Sequence, residues 1–192
     1  MERKTQTVVW EAQQWSGIEY LRLEQRASEI IADGTVIMIE DDQPLRIGYT
    51  IRCDSSWAVR QVSIRAEGAS RTRQRLTADG AGHWTRSLGH PVTALDGCMD
   101  VDIAATPFTN TLPIRRLALK PGKPAEIKVA YIAIPELSIS PVMQRYTCLE
   151  ARPEGGRYRY EGLSSGFTAG LTVDADGLVI DYQGLWRRVW PR

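Results

Sequence analysis

Apolar and polar residues alternate one for one along much of this chain. In residues 44–54, PLRIGYTIRCD, the apolar residues Leu45, Ile47, Tyr49, Ile51 and Cys53 share one side of an extended backbone, opposite Arg46, Thr50 and Arg52. A few residues later Val62, Ile64 and Ala66 alternate with Gln61, Ser63 and Arg65. A period of two marks strands buried on one face. Arg71, Arg73 and Arg75 share a face in the next segment, which breaks at ADGAG (78–82), the pattern of a hairpin turn. Asp33-Gly34 and Asp176-Gly177, each between apolar runs, predict two more hairpin turns. Residues 125–137, 142–163 and 166–174 read as further strands, with a turn at PEGG (153–156). Only YLRLEQRASEII (20–31) has helical character, and it reads acceptably as a strand too.

Short strands with turns every few residues predict a mostly β fold: a sandwich, barrel or roll with little helix. The length, 192 residues, suits one domain over 1–192. LGHPVTALDG (88–97) is the connection expected between two halves, and LKPGKPAE (119–126) is a second long turn. Composition changes this picture little: 43% apolar, 24% charged and a net charge of +1 describe a globular chain with no electrostatic case for nucleic acid. Cys53, Cys98 and Cys148 are far apart and lack metal-site spacing, so they are expected to be free buried thiols in a reducing compartment. No leader and no apolar run of membrane-spanning length is evident, which points to the cytoplasm.

Two short matches carry no chemistry. GLSSG (162–166) fits a nucleophile elbow, but strand and turn follow it where a helix is needed, and neither histidine lies downstream. DADG (174–177) opens like a calcium loop but lacks the later acids. His83 and His90 stand without partners for catalysis and are read as structural. No phosphate-binding glycine motif occurs, so no cofactor and no metal are expected.

Residues 96–117, DGCMDVDIAATPFTNTLPIRRL, are different. Asp100 and Asp102 share a face of one predicted strand, and two carboxylates on one face need a partner: arginine, a metal or ligand hydroxyls. Arg115 and Arg116 are the partners at hand; in an extended chain they point to opposite faces, and the sequence leaves open which shares the groove. TPFTNTLP (106–113), stiffened by Pro107 and Pro113, is a loop in which Thr106, Thr109, Asn110 and Thr111 offer donors and acceptors. Carboxylates, amides and hydroxyls beside aromatic rings, here drawn from Trp57, Trp84, Tyr131 and Tyr146, suit sugar recognition. The plainer reading is a loop that satisfies its own turns while Asp–Arg pairs tie two sheets together.

The stretches at 95–117, 129–149 and 166–189 resemble a bacterial glycolipid-binding family, once a domain of unknown function, over nearly the whole chain. The resemblance implies a two-layered spiral β-roll or half-barrel of antiparallel strands, and a lipid or glycolipid as partner. No catalytic set comes with it. The expected ligand-binding residues are therefore Asp100, Asp102, Thr106, Thr109, Asn110, Arg115, Trp84 and Tyr131, in a non-catalytic site. Residues 129–135 and 36–39, apolar at both alternating positions, are expected to be buried twice or to line a cavity for a tail. The alternatives are a glycoconjugate hydrolase or isomerase using Asp100 and Asp102 as acid and base, and a docking module using the Arg71, Arg73 and Arg75 face.

Overall fold

The computed structural model describes residues 3–191; Met1, Glu2 and Arg192, which the expected domain and the leader reading include, lie outside them. The alternating segments are strands, arranged as two meanders. The first comprises β1 (Lys4–Ala12), β2 (Gly17–Gln25), β3 (Glu29–Glu40), β4 (Gln43–Asp54), β5 (Val59–Glu67), β6 (Arg71–Ala78) and β7 (Trp84–Thr85). The second begins with β8 (Asp100–Ile103) and a single helix, α1 (Thr111–Leu117). It continues through β9 (Pro124–Ile132), β10 (Ile139–Arg152), β11 (Gly155–Gly162), β12 (Thr168–Asp174), β13 (Val179–Tyr182) and β14 (Trp186–Trp190).

Consecutive strands within each meander pair antiparallel, except β8 and β9, which are parallel because α1 carries the chain back across. β1 pairs antiparallel with β14, Val9 opposite Trp190, and this seam joins the meanders into one fourteen-stranded sheet. The sheet is curved and open, the expected spiral β-roll.

The β8–β9 end is rolled inside. Val101, Ile103, Ala130 and Ile132 project from one face of these strands and are fully buried, with β8 touching β5. Asp100, Asp102, Val129 and Tyr131 project from the other face. β8, the end strand of the sheet, is covered by β5 and by the segment around α1, which blunts an edge that would otherwise offer unpaired backbone groups. Within the first meander Trp10, Leu21, Leu23, Ile47, Ile51 and Leu76 form the inner layer. Between the layers sits the segment around α1, where Phe108 stacks on Tyr49 with centroids 6.4 Å apart.

The turns at 78–82 and 174–178 are where the sequence puts them. Asp79 accepts the backbone N–H groups of Ala81 and His83, and Asp174 those of Asp176 and Leu178. Asp33-Gly34 is a correction: β3 runs straight through it. The Tyr49 ring lies over Gly34, where a Cβ would meet Tyr49 Cζ at 2.1 Å, so this glycine is chosen for close approach and not for turning. The turn falls at Asp41-Asp42, both with positive φ, as a tight hairpin requires. Residues 36–39 are a second correction. Val36 and Met38 face the core, but Ile37 and Ile39 are exposed on the outer surface, so that run is half-solvated after all. The helical option for 20–31 is not taken; β2 and β3 occupy it. All three cysteines are free and buried. Residues 86–99 cross from β7 to β8, and Trp84 anchors the crossing by donating from Nε1 to the Cys98 carbonyl at 2.7 Å.

Candidate functional site

The segment after β8 is not the stiff extended loop expected. A single turn at Phe108–Asn110 runs into α1, and residues 105–114 are all buried. Pro113 is compatible because it lies in the first helical turn, where its missing N–H has no partner to lose. Ala118, in the left-handed conformation at φ 44, ends the helix and donates to the Ile114 carbonyl. Helical geometry also separates the two arginines. Arg116 grips Asp100 with two bonds, Nε to Oδ1 at 3.0 Å and Nη2 to Oδ2 at 2.6 Å. Arg115 instead lies over the Trp57 ring, 5.4 Å from its centroid.

Asp100 is fully buried; burial lifts its carboxyl above the ordinary aspartate range and the Arg116 bonds pull it partly back. Asp102, two residues on, has no ion-pair partner among the described residues. Its Oδ2 accepts from Gln144 Nε2 at 2.6 Å and its Oδ1 from Thr109 Oγ1 at 3.1 Å. Burial raises its pKa, opposed by those two bonds. Asn110 Oδ1 accepts from the Tyr146 hydroxyl at 2.8 Å. Thr106 donates to Glu19 Oε1 at 2.8 Å, and Tyr49 donates to the same oxygen at 2.5 Å. Glu19 is 0% exposed with Oε2 unpartnered, and burial pushes its pKa up to about 8.

A cavity of about 430 Å³ opens against this floor. Asp102, Thr106 and Asn110 line it, joined by Gln144 from β10 and Tyr131 from β9. The walls are aromatic. Trp15 meets Trp186 edge to face at 5.5 Å, and Tyr160 packs against Tyr182 and Phe167 at 6.2 and 6.1 Å. Burial first, then the Asp102 charge, holds the Tyr160 and Tyr182 phenols above their ordinary range, so both remain hydroxyl donors at neutral pH. The rim is mixed: Val142 is half-buried, Met143 and Phe167 are exposed, and Ser164 and Ser165 stand exposed beside them.

Of the eight residues expected from sequence, Asp102, Thr106, Asn110 and Tyr131 are therefore gathered around one cavity. Thr109 stands behind Asp102 and orients it. Asp100, Arg115 and Trp84 lie elsewhere: in the Arg116 pair, over Trp57, and in the core. The cavity thus presents one carboxyl and not two. Trp15, Gln144, Tyr160, Phe167, Tyr182 and Trp186 were not foreseen. A signal existed for Gln144, which alternation places on the same face as Tyr146 and Cys148. The aromatics carry no such mark, because a ring facing inward looks the same in sequence whether it packs or lines a void. Among the described residues no cluster of His, Cys, Asp and Glu is placed to hold a metal ion, and no helix is long and apolar enough to cross a membrane.

A crystal structure of a DUF1089 family protein from Pseudomonas aeruginosa is similar to this chain, with 39% identity and a TM-score of 0.82 over 91% of this chain and 92% of that one. No functionally curated protein matches it in sequence. The sequence model of the family described as "Putative glycolipid-binding" matches residues 7–188, and the chain belongs to that family.

Proposed function

We propose that the chain binds a glycolipid or a related amphipathic conjugate without catalysis, with the polar head in the 430 Å³ cavity and the tail leaving over the apolar part of the rim. The observation that carries this reading is the pairing of aromatic walls with a floor of one carboxyl and two amides. Rings cover the C–H faces of a sugar, and a carboxyl–amide floor exchanges several hydrogen bonds with its hydroxyls. The volume lies in the lower part of the small-molecule range of roughly 300–1,000 Å³, enough for a head group and the start of a chain. Val142, Met143 and Phe167 at the rim offer a track for the first carbons of a tail. Asp100 is neutralised by Arg116 away from the cavity, so the paired acids that glycoside cleavage needs are not assembled around it. Three free, buried thiols support a reducing compartment, hence the cytoplasm.

The test is native mass spectrometry and thermal shift with an alkyl glycoside, its free sugar and a fatty acid of equal chain length. The alkyl glycoside should raise Tm most. Gln144→Ala should weaken its binding about tenfold, the scale of one lost hydrogen bond to a polar floor, while leaving the fold intact. Equal, negligible shifts with all three compounds would overturn the reading.

A further inference from the structure

The outer face of the first meander carries two features that the cavity does not use. On β3–β6, side chains meet in two adjacent rungs. One runs Thr35, Gly48, Arg65, Arg73, and the next Asp33, Thr50, Ser63, Arg75. The small residues in the middle leave a trough of about 500 Å³, which Arg86 borders from beyond β7. The Arg65 guanidinium lies across Gly48, where a Cβ would come within 2.9 Å of it. Four guanidinium groups therefore face one carboxylate, Asp33, which already accepts from Thr50.

This clustering is costly as it stands. Arg65 and Arg73 are direct cross-strand partners, and like charges so placed repel. Arginines elsewhere on the same face have close acids: Arg52 pairs with Glu29 and Arg60 with Asp54, both at 2.9 Å. Arg65 reaches Glu67 only at 3.9 Å, and among the described residues Arg73, Arg75 and Arg86 form no ion pair. Arg75 has a single bond, to Gln61. Guanidinium forks left in this way match phosphate oxygens.

The second feature adjoins the first. Continued across the sheet, the Arg73–Arg65–Gly48–Thr35 rung reaches Tyr20, Val9 and Trp190. The neighbouring rung sets Ile18 beside Ile37. Tyr20 is 52% exposed, Ile37 55% and Trp190 60%. A strip of Trp, Tyr and Ile in water next to a row of arginines is the composition of a bilayer interface.

We propose that this outer face docks on an anionic phospholipid bilayer, with the arginine trough on lipid phosphates and the apolar strip among the headgroups and upper acyl carbons. The inference is independent of what occupies the inner cavity. A soluble phosphate ester would use the trough but leave the strip wet. A second copy in a two-fold contact would lay the arginine-rich face against itself.

The experiment is co-sedimentation of the full chain with vesicles of phosphatidylcholine, with and without phosphatidylglycerol. Binding is expected only with phosphatidylglycerol and should fall as salt rises. Each arginine near such a surface contributes roughly a factor of five, so the Arg73→Ala, Arg75→Ala double variant should bind about 25-fold less. Ile37→Ser should also weaken binding, with Tm unchanged because the side chain is exposed. The proposal is overturned if neutral vesicles bind equally or neither type binds. It is also overturned if Ile37→Ser is silent while inorganic phosphate competes, or if light scattering shows a dimer that Ile37→Ser dissolves.

Discussion

Glu19 lies on the inner face of β2 beside Leu21 and Leu23, accepts Tyr49 and Thr106 on one oxygen and leaves the other without a partner. Its folded-state pKa of about 8 stands above the ordinary value of 4.5, so the native state holds a proton that the unfolded chain gives up. Stability from this group is fully present below pH 4.5, declines as pH rises from there to about 8, and levels off beyond. A shift of this size corresponds at most to something on the order of 5 kcal/mol. Urea titrations across that window should show stability falling with pH in the native chain and a flatter profile in Glu19→Gln; identical slopes would place the proton elsewhere. The position was legible in part. Alternation puts Glu19 on the apolar face of GIEYLRLEQ, but nothing local identifies Thr106, 87 residues away, as its partner. The Asp100 partnership was likewise readable as a demand for an arginine, and only α1 decides that Arg116 and not Arg115 answers it.

At the scale of elements, most strands were legible, β1 and β14 were not singled out, and the helix was missed. The longer strands announce themselves by period two over eight or more residues. α1 has seven residues, contains a proline and is buried on all sides through its first turn, so it shows neither amphipathic spacing nor the usual composition. Its stability comes from packing against β8 and against the buried turn before it, where Phe108 stacks on Tyr49 and Asn110 accepts from Tyr146, and owes little to intrinsic propensity. Asp33-Gly34 failed for a related reason: its glycine answers a ring on the neighbouring strand, which no window along one strand can contain. Gly34→Ala tests that account. The added methyl would have to displace the Tyr49 ring, and with it the bond to Glu19, from a fully packed layer. The expected loss is about 1–3 kcal/mol by denaturation, the scale of overpacking a core. A neutral substitution would mean that Tyr49 has room to move. Half of the residues expected at the site line the cavity: Asp102 from β8, Thr106 and Asn110 from the segment before α1, and Tyr131 from β9. The rest of its wall comes from β10, β11, β13 and β14 and from the loops beside them, which only the curvature of the sheet brings round.

Across the whole molecule, the sheet order follows the chain without a single interruption once β14 is taken to precede β1. The fourteen strands are thus a circle in sequence, broken in space only between β7 and β8. The native chain is cut at a different point of that circle, so the pairing of Val9 with Trp190 must bring together residues from opposite ends of the chain, while every other strand pair is near in sequence. A permuted chain should remove that burden. Joining Trp190 to Lys4 needs a linker that spans the five residues of β1 beyond Val9, about 17 Å at strand rise. New ends fit beside Leu88, which is 95% exposed. Such a variant should keep the same sheet with a lower mean sequence separation of contacts, and refold faster in stopped-flow experiments than the parent. A slower or failed refolding would show that the crossing at 86–99, with Trp84 held to Cys98, guides assembly. The architecture would then owe its path to that short bridge, which only an unbroken chain between β7 and β8 can supply.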